Sequence, residues 1–214
     1  AMDLIIVFLG IELMSVCLYV LAGFVRSSSS ANESSLKYFL LGAFATGFLL
    51  YGIAFLYGST GTTNIAAITQ HFDVYSSSLL FLTGIALLIV GLAFKIGAVP
   101  FHMWVPDVYQ GAPAPVSAFL SVGPKAAAFA ILARVFMTGF APISARWEPV
   151  IWACALATMI VGNFAALQQT NIKRMLAYSS IAQSGYLLIG LLAGPEKGGF
   201  DAVMFYLLGY GVTN

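Results

Sequence analysis

Runs of about twenty apolar residues recur along the chain with few charges between them, and they limit its fold more than any other feature. The first, from Leu4 to Val25, contains one charged residue, Glu12. At 1.5 Å per residue, a helix of that length spans about 33 Å, enough to cross the hydrocarbon core of a bilayer. Only 8% of the 214 residues are charged and 60% are hydrophobic, whereas soluble domains carry about 25% charge. So few charges cannot cover a water-exposed surface. In lipid, every backbone N–H and C=O must be satisfied internally, which leaves helices or closed barrels. Barrel strands alternate polar and apolar residues over about ten positions. The runs here are longer and do not alternate. The expected fold class is therefore all-α, a polytopic transmembrane helix bundle.

The further spans are expected from Leu36 to about Tyr57, Leu79 to Val99, Pro115 to Met137, Val150 to Leu167 and Met175 to Leu192, with a seventh beginning near Phe200. The polar stretch from Gly58 to Ser78 is expected to hold a short surface helix over Asn64–Phe72. The chain has almost no lead-in and stops at Asn214 inside an apolar run. It reads as a single membrane domain, residues 1–214, that is an internal piece of a longer protein. A cleaved signal peptide fits poorly, because the start lacks a basic region and its apolar run is long and acidic at Glu12. If the spans alternate, Arg26, Lys37, Lys173 and Arg174 share one side, and Arg134, Arg146 and Lys197 the other. The excess of positive charge puts the first group in the cytoplasm. Cys17 and Cys154 lie inside apolar runs and read as packing residues, and His71 reads as a solvated loop residue.

Three charges stand where lipid penalises them: Glu12, Lys95 and Lys125. A charge at a helix centre costs roughly 2.5–3.5 kcal/mol on insertion scales, and such residues mark ion or proton pathways. The alternatives are a structural ion pair for Glu12 and Lys125, and snorkelling to an interface for Lys95. Five of the eight prolines cluster between Pro100 and Pro124. Pro100 lacks an N–H and disfavours helix at Val99, so the third span is expected to break between Lys95 and Pro106. Broken helices in membranes free backbone groups beside cavities, and transporters place ion sites there. His102 follows the break and is a candidate proton relay or a helix-break hydrogen-bonding residue. Asp107 reads as a cap for the short segment after the break. Lys173 and Arg174 read as residues that flank a span.

The stretch Phe94–Phe136, FKIGAVPFHMWVPDVYQGAPAPVSAFLSVGPKAAAFAILARVF, resembles the signature of the antiporter-like, proton-translocating membrane subunits of bacterial complex I, the NADH:quinone oxidoreductase. The portion VPFHMWVPDVYQGAPAPV resembles the subunit N branch more than its sisters. LGIELMSVCLYVL around Glu12, SLKYFLLGAFATGFLLYG around Lys37 and QQTNIKRMLAYSSIAQSGYLLIGL from Gln168 fit as well. The resemblance covers essentially the whole chain. It implies a discontinuous helix within an inverted-repeat fold, whose second broken helix would lie beyond Asn214. It also implies that Glu12 and Lys95 form a switchable ion pair, that Lys125 is a connecting lysine, and that Lys37 matches a lysine opening the sixth family helix. A carboxylate brought close to a buried amine favours its charged form, and one moved away disfavours it, so such a pair can load and release a proton. The chain departs from many relatives at Gln183, where they carry His, and at Gln110, where they carry Glu.

The sequence has no dinucleotide fingerprint and no cysteine cluster for iron–sulfur. The chain is expected to hold no cofactor or metal. NAD, FMN, iron–sulfur clusters and quinone are implied for partner subunits. The expected partners are other membrane subunits of complex I, the lipid bilayer and protons, with no nucleic acid. The expected location is the inner (plasma) membrane. The resemblance implies a non-redox subunit of a proton-translocating oxidoreductase. A subunit of a multi-subunit cation/proton antiporter or of a membrane-bound hydrogenase complex is the alternative. A non-transporting membrane scaffold would tolerate neutral substitutions at Glu12, Lys95 and Lys125.

Overall fold

A computed structural model of the chain describes residues 2–70, 72–75 and 77–213, without the side chain of Asp73. His71 and Asn214 lie outside the described residues. Helices dominate, and the only β-pairing among the described residues is one isolated bridge between Asp3 and Asn64. Among the described residues, six helices are long and apolar enough to cross a membrane.

The first is α1, Leu4–Ala22, capped by the Asp3 carboxylate on the Ile5 and Ile6 amides. The second, α2, Ser29–Thr60, starts seven residues before the expected Leu36. Ser28 caps it by accepting from the Ala31 amide, so the polar Ser–Asn–Glu stretch joins the helix and does not form a loop. A short α3, Ile65–Thr69, is capped by Asn64. It lies within the expected stretch but is shorter: Ile65 and Ile68 are buried in the core, while Ala66 and the flanking Asn64 and Gln70 are exposed. A single turn, α4, Phe72–Tyr75, follows.

The third span, α5, Leu79–Ile96, ends earlier than Val99. Gly97 closes it with φ 71°, a left-handed conformation that glycine adopts without a Cβ clash. The chain resumes as α6, Trp104–Gly111. The discontinuous helix is therefore present, but its stop signal is Gly97, with Pro100 following in the connection. Pro106 falls in the first turn of α6, where a missing N–H costs no hydrogen bond.

The fourth span, α7, Ala114–Leu132, runs into a π-helical segment, Ala133–Gly139. The fifth, α8, Ser144–Leu167, begins six residues before the expected Val150 and carries Pro149 inside it. The sixth is α9, Ile172–Ala193, capped by Asn171. The last helix, α10, Gly199–Thr213, agrees with the expected start near Phe200.

Helix α8 packs along α9, and α2 along α5; α6 wedges between α2 and α9. Small residues permit these approaches, as in other membrane bundles. A Cβ on Gly52 would lie 2.8 Å from the Gly84 carbonyl oxygen, and one on Gly162 would lie 2.7 Å from the Ala182 amide nitrogen. Fully buried Phe81, Phe129, Phe136 and Phe140 fill the core at one end. The other end is built around Tyr38 and Trp104, stacked at 4.5 Å with an interplanar angle of 8°.

Candidate functional site

Lys95 lies in the last turn of α5, two residues before Gly97, and is 6% exposed. That burial removes snorkelling as its explanation. Its ammonium donates to Ser15 Oγ on α1 at 2.6 Å, and Ser15 in turn donates to the Ile11 carbonyl. Glu12 stands one turn before Ser15 on the same helix. Its Oε1 accepts from Thr46 Oγ1 of α2 at 2.6 Å. Among the described residues, Glu12 and Lys95 form no ion pair within 4.0 Å. The acid and the lysine are thus held by different partners, Glu12 by Thr46 and Lys95 by Ser15 one turn further along α1.

Lys125, on α7, is 1% exposed. It donates to Ser180 Oγ at 2.7 Å, to Ser184 Oγ at 2.9 Å and to the Ser180 carbonyl. All its partners are neutral, and no described carboxylate pairs with it. A structural ion pair therefore does not account for Lys125 among the described residues. Ser184 donates to the Ile96 carbonyl at 2.7 Å, at the residue that follows Lys95. Tyr210, on α10, donates to Ser180 Oγ at 2.9 Å.

A hydroxyl suits this position because it can donate or accept, and so can face either an ammonium or a neutral amine. The Ile96 carbonyl only accepts. A proton moving between Lys95 and Ser184 would have to bypass it through water. No sequence motif marks Ser15, Ser180, Ser184 or Tyr210. The available signal was polarity at helical spacing: Ser180 and Ser184 are four apart, and Glu12 and Ser15 three apart, on otherwise apolar helices. Gln183, by contrast, faces Tyr206 and takes its hydroxyl as a donor.

Lys37 is not with Lys95 and Lys125. Its side chain is 43% exposed and pairs with Glu33 at 2.7 Å and with Asp107 at 2.9 Å. Asp107 also accepts from Arg174 at 2.6 Å. Asp107 is thus no cap for α6, whose N-cap is Met103 without a side-chain bond. It is an ionic knot that joins α2, α6 and α9. Lys173 donates to the Ala112 carbonyl, and Ser34 to the Val108 carbonyl, so both sides of α6 are fastened. Lys37 and Arg174 meeting on one carboxylate puts them at the same end of the bundle, as alternating spans require. Burial raises the Asp107 pKa, but hydrogen bonds from Lys37 and Arg174 outweigh it and hold the carboxyl below its usual value.

His102 sits in the connection after the break. Its Nδ1 is buried with no hydrogen-bond partner. The break itself is held by Trp104 Nε1, which donates to the Phe94 carbonyl at 2.9 Å, and by Val99 N, which donates to Thr158 Oγ1. No group of three or more metal-ligating side chains occurs among the described residues.

A bundle of membrane-length helices, with one helix broken beside a buried lysine and a second buried lysine tied to that break, defines a multi-pass membrane protein of the antiporter-like class. The model of the family "NADH:quinone oxidoreductase/Mrp antiporter, TM" matches residues 1–214, and the chain belongs to this family. It is 58% identical over 213 residues to NADH-quinone oxidoreductase subunit N 1 of Solibacter usitatus, covering 99% of this chain and 44% of that protein. It is 53% identical to NADH-quinone oxidoreductase subunit N of Trichlorobacter lovleyi, again covering 44% of it. The chain therefore spans less than half the length of these curated relatives. Among solved structures, it matches a chain of respiratory complex I from Thermus thermophilus with a TM-score of 0.82 at 38% identity, covering 100% of this chain and 46% of that one. A chain of the Mrp complex from Dietzia sp. matches with a TM-score of 0.87 at 30% identity, covering 98% and 39%.

Proposed function

We propose that the chain is part of a proton-translocating membrane subunit of the NADH:quinone oxidoreductase, and that it holds protons at Lys95 and Lys125. The observation that carries this reading is Lys125: a fully buried amine with only neutral partners, joined through Ser184 to the broken end of α5 that bears Lys95. A buried, unpaired charge is costly, so a site like this is expected where the charge comes and goes. Glu12, held by Thr46 while Lys95 is held by Ser15, acts as the movable carboxylate. When it approaches, Lys95 takes a proton; when it withdraws, the proton leaves through water toward Ser184 and Lys125. Lys37 and His102 were candidates for relays. In this reading Lys37 fastens α6, and His102 supports the connection.

The chain contributes no redox chemistry. NAD, FMN, iron–sulfur clusters and quinone belong to partner subunits, and other membrane subunits flank this one. The chain forms a single membrane domain within the longer subunit. A second reading, a subunit of a cation/proton antiporter, draws on the slightly higher TM-score against the Mrp complex. The 53–58% identities to proteins named subunit N favour the first.

The test is proton uptake by the complete oxidoreductase in proteoliposomes, driven by NADH and quinone, with Lys125→Met and Glu12→Gln. Uptake per NADH oxidised should fall. Unchanged uptake in both variants would leave the chain a scaffold.

A further inference from the structure

Helix α2 presents one continuous stripe: Ser30, Glu33, Lys37, Leu41, Phe44 and Phe48, at spacings of three or four residues. Two cavities open along it. The upper one, about 200 Å³, lies between the charged part of the stripe and Asp107, Gln110 and Arg174. The lower one, about 140 Å³, lies between the apolar part and Pro100, Met103 and Trp104 beside the helix break. Asp107 is one turn from Met103 and Trp104 on α6, as Lys37 is one turn from Leu41 on α2. Both cavities therefore lie in the same α2–α6 groove, a polar compartment above an apolar one.

The depth fits a membrane interface. Helix α2 has 32 residues, about 48 Å, against a hydrocarbon core of about 30 Å, so about 9 Å extends from each side. Lys37 is about 12 Å from the start of α2, close to the hydrocarbon boundary. From Lys37 to Phe48 is about 16 Å, close to the half-thickness of the core. The rim of the apolar compartment, Phe44, Phe48 and Met103, is 48–72% exposed in this chain, at the depth of the hydrocarbon core.

We propose that this groove is a specific site for one phospholipid, of the phosphoethanolamine class. The phosphate would sit on Lys37 and Arg174. Arg174 spends Nη1 on both Asp107 and Gln110, and its guanidinium carries further N–H donors. The ammonium would meet Glu33, whose side chain is 62% exposed. One acyl chain would follow the stripe into the crevice against Pro100 and Trp104. The polar compartment carries two cations and two carboxylates, so a zwitterion matches it, whereas an anionic headgroup would face Glu33 and Asp107. A trimethylammonium headgroup has no N–H to give Glu33. The proposal does not depend on the proton-translocation reading.

The experiment uses the complete complex in nanodiscs, with phosphoethanolamine, phosphocholine and phosphoglycerol lipids that carry a diazirine in one acyl chain. Crosslinked peptides are quantified by mass spectrometry. The phosphoethanolamine probe should label residues 41–48 and 100–104 about fivefold more than the exposed apolar Val16 and Val20 of α1, corresponding to about 1 kcal/mol of preference. Leu41→Trp, which fills the crevice, should abolish that excess. Glu33→Gln should bring phosphoethanolamine labelling down to the phosphocholine level. Equal labelling by all three probes would mean annular lipid only, and no labelling by any would mean a partner subunit covers the groove; either result overturns the proposal. NADH:quinone activity of the variants serves as the assembly control.

Discussion

The ammonium of Lys95 donates to Ser15 Oγ at 2.6 Å and is not paired with Glu12, whose carboxylate is held by Thr46 at the same distance. Ser15 and Thr46 are therefore competitors of the Glu12–Lys95 contact. Replacing Thr46 by Val frees the acid without changing side-chain shape much. The variant should shift the balance toward a closed Glu12–Lys95 pair and slow proton release. Ser15→Ala should act in the same direction. The measurement is proton uptake per NADH oxidised in proteoliposomes of the complete complex. Severalfold loss is expected, and wild-type stoichiometry in both variants would contradict the competition.

Lys125 separates function from stability. Removing a buried charge in favour of an apolar side chain of similar length is often neutral or stabilising, by about 1–4 kcal/mol. Lys125→Met should therefore keep or raise the Tm of the purified complex while lowering proton uptake. The double variant Ser180→Ala/Ser184→Ala should do the reverse to stability. It leaves the amine with only a carbonyl acceptor, at a cost of about 1–3 kcal/mol per unsatisfied group. A Tm drop in Lys125→Met as large as in the double variant would show Lys125 to be structural.

Two glycines make a matched pair. Gly97 and Gly61 have nearly the same φ, 71° and 72°. A Cβ on Gly97 would lie 2.7 Å from Val105 Cγ2, whereas one on Gly61 would meet nothing within 4 Å. Gly61→Ala should cost about 1 kcal/mol, from backbone conformation alone. Gly97→Ala adds a steric clash at the helix break and should cost more. Thermal melts of the complex check the order; equal effects would mean Val105 yields freely.

The ionic knot at Asp107 has a defined pH signature. Its folded pKa lies below the ordinary 3.8, because hydrogen bonds from Lys37 and Arg174 outweigh desolvation. A depressed carboxylate stabilises fully above its unfolded pKa, and the contribution is lost only as pH falls through the folded value. Asp107→Asn should therefore lower the Tm by the same amount at every pH from 5 to 8. A difference that varies across that range would contradict the assignment.

The helices were largely legible because their apolar runs exceed the bilayer thickness, a signal that needs no partner. Their ends were less legible. Ser28 marks a start that hydropathy hides, since its cap carries polar residues into α2. The break was read from Pro100, but Gly97 makes it, because a left-handed φ at a helix end is a glycine signature that proline only reinforces. At the candidate site, charges in apolar runs pointed to Glu12, Lys95 and Lys125. The serines escaped because Ser180 and Ser184 are unremarkable until α7 brings Lys125 against α9. Asp107 was misread for a similar reason: a local cap is visible in sequence, and partners 70 and 67 residues away are not.

The Ile96 carbonyl has a consequence for direction. A line made only of hydroxyls conducts equally well both ways, since each group can reverse its hydrogen bond. A carbonyl in series cannot relay at all. In the proposed path it acts as an open contact that closes when water enters beside it, next to the left-handed turn at Gly97. The broken end of α5 would then serve as the interrupter of the circuit, and leakage between the two lysines would be set by hydration of a single peptide group.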